Sequence, residues 1–118
     1  MDKKYTDTDI LNLKRSALVL TKKKNPFYVW LASIQTGKSE VNDLETEVYL
    51  LPDYEEIHQM ENWVKQNFDL IFQDQMNNWN IDEDLWVKNR TYQMFKEWFD
   101  YTLHTMVFDM EDGDIEKI

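Results

Sequence analysis

The sequence predicts a single α+β domain, with a small sheet of about three short strands covered by three main helices. Three observations predict it. Short apolar, β-branched runs bounded by charge or proline read as buried strands, apolar residues at helical spacing separate them, and a two-residue alternation appears near the end. At 118 residues the chain has the length of one domain and can bury a core without a metal or disulfide. Residues 1–15 read as an N-terminal arm, 16–110 as the domain and 111–118 as an acidic, solvated tail.

"SALVLTK", residues 16–22, suits a buried strand that ends at Lys22, Lys23 and Lys24. A helix follows over 26–35. Asn25 caps it, Pro26 takes the first helical position, Gly37 offers the stop, and Phe27, Trp30, Leu31 and Ile34 form its apolar stripe. "VNDLETE" reads as a further helical turn before "VYLLP", residues 48–52, a strand ended by Pro52. Asp53 and Glu56 have capping-box spacing for a long helix over 54–75. Its apolar arc contains Ile57, Met60, Trp63, Val64, Phe68, Leu70, Ile71 and Phe72, and only Asn67 breaks the pattern.

"MNNWNIDEDLW" reads as an irregular connection whose Trp79, Ile81, Leu85 and Trp86 tuck under the fold. In "NRTYQMFKEWFDY", residues 89–101, the apolar Tyr92, Met94, Phe95, Trp98, Phe99 and Tyr101 sort onto one half of a helical wheel. Gln93, Lys96, Glu97 and Asp100 take the other half. That predicts a helix over 91–100, capped by Thr91 or Asn89, whose aromatics wall a core rather than stack a ligand. From 102 to 110 the period becomes two, His104, Met106, Phe108 and Met110 alternating with Leu103, Thr105, Val107 and Asp109. A strand is favoured there over continued helix.

The composition excludes several chemistries. With no cysteine, disulfides, zinc-thiolate sites, iron-sulfur clusters and cysteine nucleophiles are out. The first residues lack an apolar signal-like core and no run reaches a membrane span, so a cytoplasmic location is expected. The net charge of -10 is uneven: residues 1–39 carry eight Lys/Arg against three Asp, and residues 40–118 carry five against twenty Asp/Glu. That acidic part repels phosphate backbones, so nucleic acid is not an expected partner. "DED" at 82–84 and "DMEDGD" at 109–114 miss the calcium-loop spacing, and "TGKS" at 36–39 lacks the first glycine of a phosphate loop. No metal and no cofactor are expected.

His58 lies on the polar side of the long helix near Glu55, Glu61 and Asn62. His104 shares a strand face with Met106, Phe108 and Met110, where a partly apolar setting would tune its titration. The order of parts, with Pro26-Phe27, Trp30-Leu31, Tyr49-Leu50-Leu51-Pro52, Leu85-Trp86, Asn89-Arg90-Thr91, Trp98-Phe99-Asp100, His104 and Asp109, resembles a family of small acidic bacterial proteins of unknown function. The resemblance covers most of 16–110 and implies a bacterial, soluble single domain, with no activity attached.

Two functions are expected from different classes. The first is a non-enzymatic interaction module whose acidic helix faces bind a basic protein partner, with homo-oligomerisation through a sheet edge as a variant. The second is a small enzyme or ligand binder using Arg90, His104, Asp100 and Asp109 around a pocket floored by Trp86 and Trp98. An anion at the helix mouth formed by Asn89, Arg90 and Thr91 is a narrower form of the second.

Overall fold

Residues 11–21, 25–34, 46–111 and 113–118 are described by the computed structural model, with side chains from Leu13 onward. Strand β1 (Leu11–Leu13) leads into β2 (Ser16–Thr21), helix α1 (Asn25–Ile34), β3 (Glu47–Leu51) and the long helix α2 (Ile57–Asn77). A 3-10 turn (Glu83–Leu85), α3 (Tyr92–Trp98), β4 (Asp100–His104) and β5 (Val107–Asp109) complete the order. The expected sheet is present as β3-β2-β4, antiparallel throughout, with the most buried strand in the middle. Lys22–Lys24, the "TGKS" segment, Gly37 and most of "VNDLETE" lie outside the described residues.

One face of the sheet carries the core. Leu18 sits between Tyr49 and Leu103, Leu20 between Glu47 and Tyr101, and Ser16 opposite Leu51. These side chains meet Phe27, Trp30 and Leu31 of α1, Met60, Val64, Ile71, Phe72 and Met76 of α2, and Phe95 and Trp98 of α3. Phe72 lies 5.2 Å from Trp98 and 5.3 Å from Phe99 between ring centroids, the spacing at which tilted and edge-on aromatic pairs attract. The aromatics of "NRTYQMFKEWFDY" are thus a core wall. Ser16 is fully buried and ties the loop after β3 to this wall: its hydroxyl accepts from the Tyr54 N–H at 3.0 Å and lies within reach of the Tyr54 and Thr105 carbonyls as a donor.

Several expected boundaries move, each for a local reason. The helix expected to reach Asp100 stops at Trp98: Phe99 is already extended, and Asp100 and Tyr101 pair with Thr21 and Leu20. Strand pairing satisfies backbone groups of β2 that would otherwise stay open on that edge, and aromatic and β-branched residues favour it. The cap of α2 is Glu56 rather than Asp53, its N–H donating to the Gln59 side chain at 3.2 Å. Ile57 and Leu70 do not join the buried arc of α2, being 47% and 64% exposed, whereas Gln75 and Met76 are buried. In the connection only Trp86 and Trp79 tuck inward; Ile81 and Leu85 point to solvent.

The expected strand over 102–110 is two strands with a break at Thr105 and Met106. Leu13 faces Val107 and Ala17 faces His104, so residues 14–16 lie opposite only 105 and 106, one residue more on the first strand. The pairing breaks there, and β1 and β5 form a two-stranded sheet separate from β3-β2-β4. Alternation survives it: from Asp100 to Met110 every even position is exposed and every odd one half-buried. β1, assigned from sequence to the N-terminal arm, is the pairing partner of β5. Among the described residues no helix is long and apolar enough to cross a membrane.

Candidate functional site

The groups singled out in the sequence fall in four separate places. Trp86 and Arg90 line an open cleft of about 580 Å³ with Asp69, Gln73, Glu83, Lys88 and Asn89. Trp98 is not its floor; it is buried against Phe27, Trp30 and Phe72. Asp100 and His104 stand on the solvent-facing side of β4, where the His104 Nε2 lies 2.9 Å from the Thr102 hydroxyl. Asp109 borders a different cavity of about 280 Å³, with Leu13, Arg15, Leu50 and the C-terminal residues, and its carboxylate accepts the Glu111 N–H at 2.9 Å.

Within the cleft the polar groups are largely committed to one another. Arg90 Nε donates to Asp69 Oδ1 at 2.6 Å, a second guanidinium nitrogen reaches Oδ2 at 3.3 Å, and a third donates to the Val87 carbonyl at 2.9 Å. The Arg90 side chain is mostly covered, 18% exposed, so these bonds use its guanidinium fork within the fold. Hydrogen bonding from Arg90 holds the Asp69 carboxyl below its ordinary value, against a partial burial that opposes it, and the Gln73 amide adds in the same direction. Asn89 turns the chain with φ of 55°, a left-handed conformation asparagine tolerates. The mouth of α3, considered for an anion, is closed by the Thr91 hydroxyl, which accepts the Met94 N–H at 3.1 Å. The Trp86 indole donates to the Asn80 carbonyl and Lys88 to that of Glu83.

Helix carboxylates expected to meet a basic partner are engaged in the same way. Tyr101 donates to Glu61 at 3.1 Å and stands 2.7 Å from the Tyr92 hydroxyl, while Tyr49 donates to Asp74 at 2.6 Å. Burial, and then the neighbouring hydroxyl or carboxylate, holds both Tyr101 and Tyr49 above the ordinary tyrosine range, so both remain donors. Gln75, fully buried, donates to Glu47 and to the Tyr49 hydroxyl. His58 meets Glu56 at 3.2 Å with both side chains exposed, a contact of little energetic weight. "DED" shapes its own turn, Asp82 accepting the Asp84 N–H. Among the described residues no group of His, Cys, Asp and Glu could hold a metal ion.

The remaining feature is the second face of the sheet. Val48 and Leu50 of β3, Val19 of β2 with the buried Ala17, and Thr102 and His104 of β4 share the face of the three-stranded sheet opposite Leu18 and Leu20, and Met106, Phe108 and Met110 are exposed along and beside β5 of the two-stranded sheet. Val48 is 62% exposed, Leu50 46%, Met106 59%, Phe108 51% and Met110 62%. The alternation noted in the sequence correctly separates this set from its neighbours, but the His104 side is the solvent side rather than a sheltered one. Compared with known protein families, characterised proteins and solved structures, the chain matches none.

Proposed function

We propose that this chain is a non-enzymatic protein-interaction module of a bacterial cell and that it docks through the open face of its sheet. The observation that supports this is a set of half- to two-thirds-exposed Met, Phe, Leu and Val side chains at the outward positions of β3 and of residues 106–110. Exposed apolar patches of this kind on a well-packed domain mark interaction surfaces. The acidic helix face is the weaker docking surface, because Glu61, Asp69 and Asp74 already accept bonds from within the chain. A bacterial setting rests on the resemblance carried by residues 16–110. The alternative of an enzyme or ligand binder near Trp86, Arg90, Trp98 and His104 has less support: Arg90 is committed to Asp69 and Val87, Trp98 is core, and His104 faces solvent on the other side of the sheet.

The test is site-specific photo-cross-linking in cells, with a benzophenone-bearing amino acid at Phe108 and, as control, at Ile81, which is 84% exposed away from the sheet. A discrete protein adduct from position 108 that position 81 does not give is the expected result. No adduct from 108, or the same adduct from both, refutes docking through this face.

A further inference from the structure

We infer that the cavity between the β1–β2 turn and the C-terminal segment binds a free α-amino acid with an apolar side chain. It lies where that turn, Leu50 of β3, Asp109 of β5 and the last residues of the chain meet, and has a volume of about 280 Å³. Pockets for drug-sized molecules start at about 300 Å³, so this one suits a smaller ligand. Leu13, Leu50 and Ile115 form its apolar part. Leu50 is 46% and Ile115 53% exposed, so both retain surface that a ligand can cover. The site stands apart from the docking reading, and Phe108 does not border it.

The same cavity brings both signs of charge together. Lys14, Arg15 and Lys117 border it along with Asp109 and Asp114. They are three of the seven lysines and arginines among the described residues, in a chain whose net charge is -10. Among the described residues the ion pairs are His58 with Glu56 and Arg90 with Asp69, so the two signs here do not contact each other directly. Arg15 donates once to the Lys14 carbonyl at 2.7 Å and Asp109 accepts the Glu111 N–H at 2.9 Å, which leaves further donors on the one and lone pairs on the other. Opposite charges that face one another through water attract weakly, because its dielectric constant of about 80 screens them. A ligand that fills the gap turns both into charge-assisted hydrogen bonds.

The ligand class follows from that pairing of signs. A simple anion meets Asp109 and Asp114 as well as the cations and is repelled at long range by an acidic chain, and a simple cation meets three cations. A neutral apolar molecule strips water from five charges and replaces none of it. A zwitterion carries both signs with no net charge. In an α-amino acid the carboxylate, the ammonium and the side chain share one carbon, so the three groups address the cations, the aspartates and the leucine-isoleucine part of one small cavity at once.

The experiment is a titration of the isotope-labelled full chain with L-leucine to about 20 mM at pH 7, followed by amide chemical shifts. Three controls each lack one group: isocaproate the ammonium, isoamylamine the carboxylate and glycine the side chain. The expected result is saturable shifts at Leu13, Leu50, Asp109 and Ile115, with a leucine dissociation constant on the order of 1 mM and constants at least about 10-fold larger for the controls. Arg15→Gln and Asp114→Asn should each raise the leucine constant about 10-fold while the amide spectrum away from the cavity stays as in wild type. No saturable shift at these residues overturns the inference, as does any control that binds as tightly as leucine, or a leucine constant that both variants leave unchanged.

Discussion

Removing the guanidinium of Arg90 tests whether the cleft beside Trp86 is a structural latch or a waiting ligand site. In Arg90→Met the stem is kept and three donor contacts are lost, two to Asp69 and one to the Val87 carbonyl. Asp69 is 42% exposed and Arg90 18%, so the pair is worth the upper end of the exposed range, about 1 kcal/mol, and the carbonyl contact about 1 more. With an unfolding entropy of roughly 2.1 cal/mol/K per residue, a loss of about 2 kcal/mol in 118 residues lowers Tm by about 8 °C. Asp69→Asn should cost about 1 kcal/mol, and the double mutant should show about 1 kcal/mol of coupling in urea unfolding at pH 7.

The sign of the pH dependence follows from Asp69. Its folded-state value lies below the ordinary 3.8, so the pair's contribution is complete above that value and disappears as pH falls through the folded value. Coupling should therefore hold above the ordinary 3.8 and shrink as the pH falls below it, while Arg90→Met should lose that part of the wild-type acid sensitivity. A change in stability under about 0.5 kcal/mol for Arg90→Met, with coupling under about 0.3, would refute the latch and return Arg90 to the list of ligand groups.

Ser16→Ala should cost about 1–2 kcal/mol by leaving the Tyr54 N–H without its acceptor, whereas Thr21→Val, whose hydroxyl reaches the Asp100 carbonyl at the sheet edge, should change stability by less than about 0.5; thermal unfolding of both decides it. Thr91→Ala should lower stability by about 1 kcal/mol through loss of the cap on Met94, and Thr91→Ser should restore most of it in the same assay. Phe72→Ala, at a fully buried ring, should cost about 3–5 kcal/mol or prevent folding, and Ile81→Ala should be neutral to within about 0.5, as read by chemical denaturation.

Local pattern determined most of the architecture. Phe27, Trp30 and Leu31 repeat at helical spacing and are buried as that spacing requires, because a stripe on one side of a helix has a single way to leave water. The sort of Phe95 and Trp98 from Lys96 and Glu97 identified the core wall for the same reason. Alternation from 100 to 110 likewise separated Met106, Phe108 and Met110 from Leu103 and Val107, since side chains of a strand take opposite faces in turn. A period, however, distributes residues between two faces without saying which face the rest of the chain covers. Only the packing of the three helices on the Leu18–Leu20 side placed His104 and its apolar neighbours in solvent. The end of α3 was not legible either: nothing local stops a helix at Trp98, and what stops it is β2, whose open edge recruits Asp100 and Tyr101. The same holds for Arg90 and Asp69, 21 residues apart, and for Ser16 and Tyr54, 38 apart. Such contacts carry no periodic signal, because their partners are set by where the chain returns in space, and that return decided which polar residues hold this fold together and which face it leaves open.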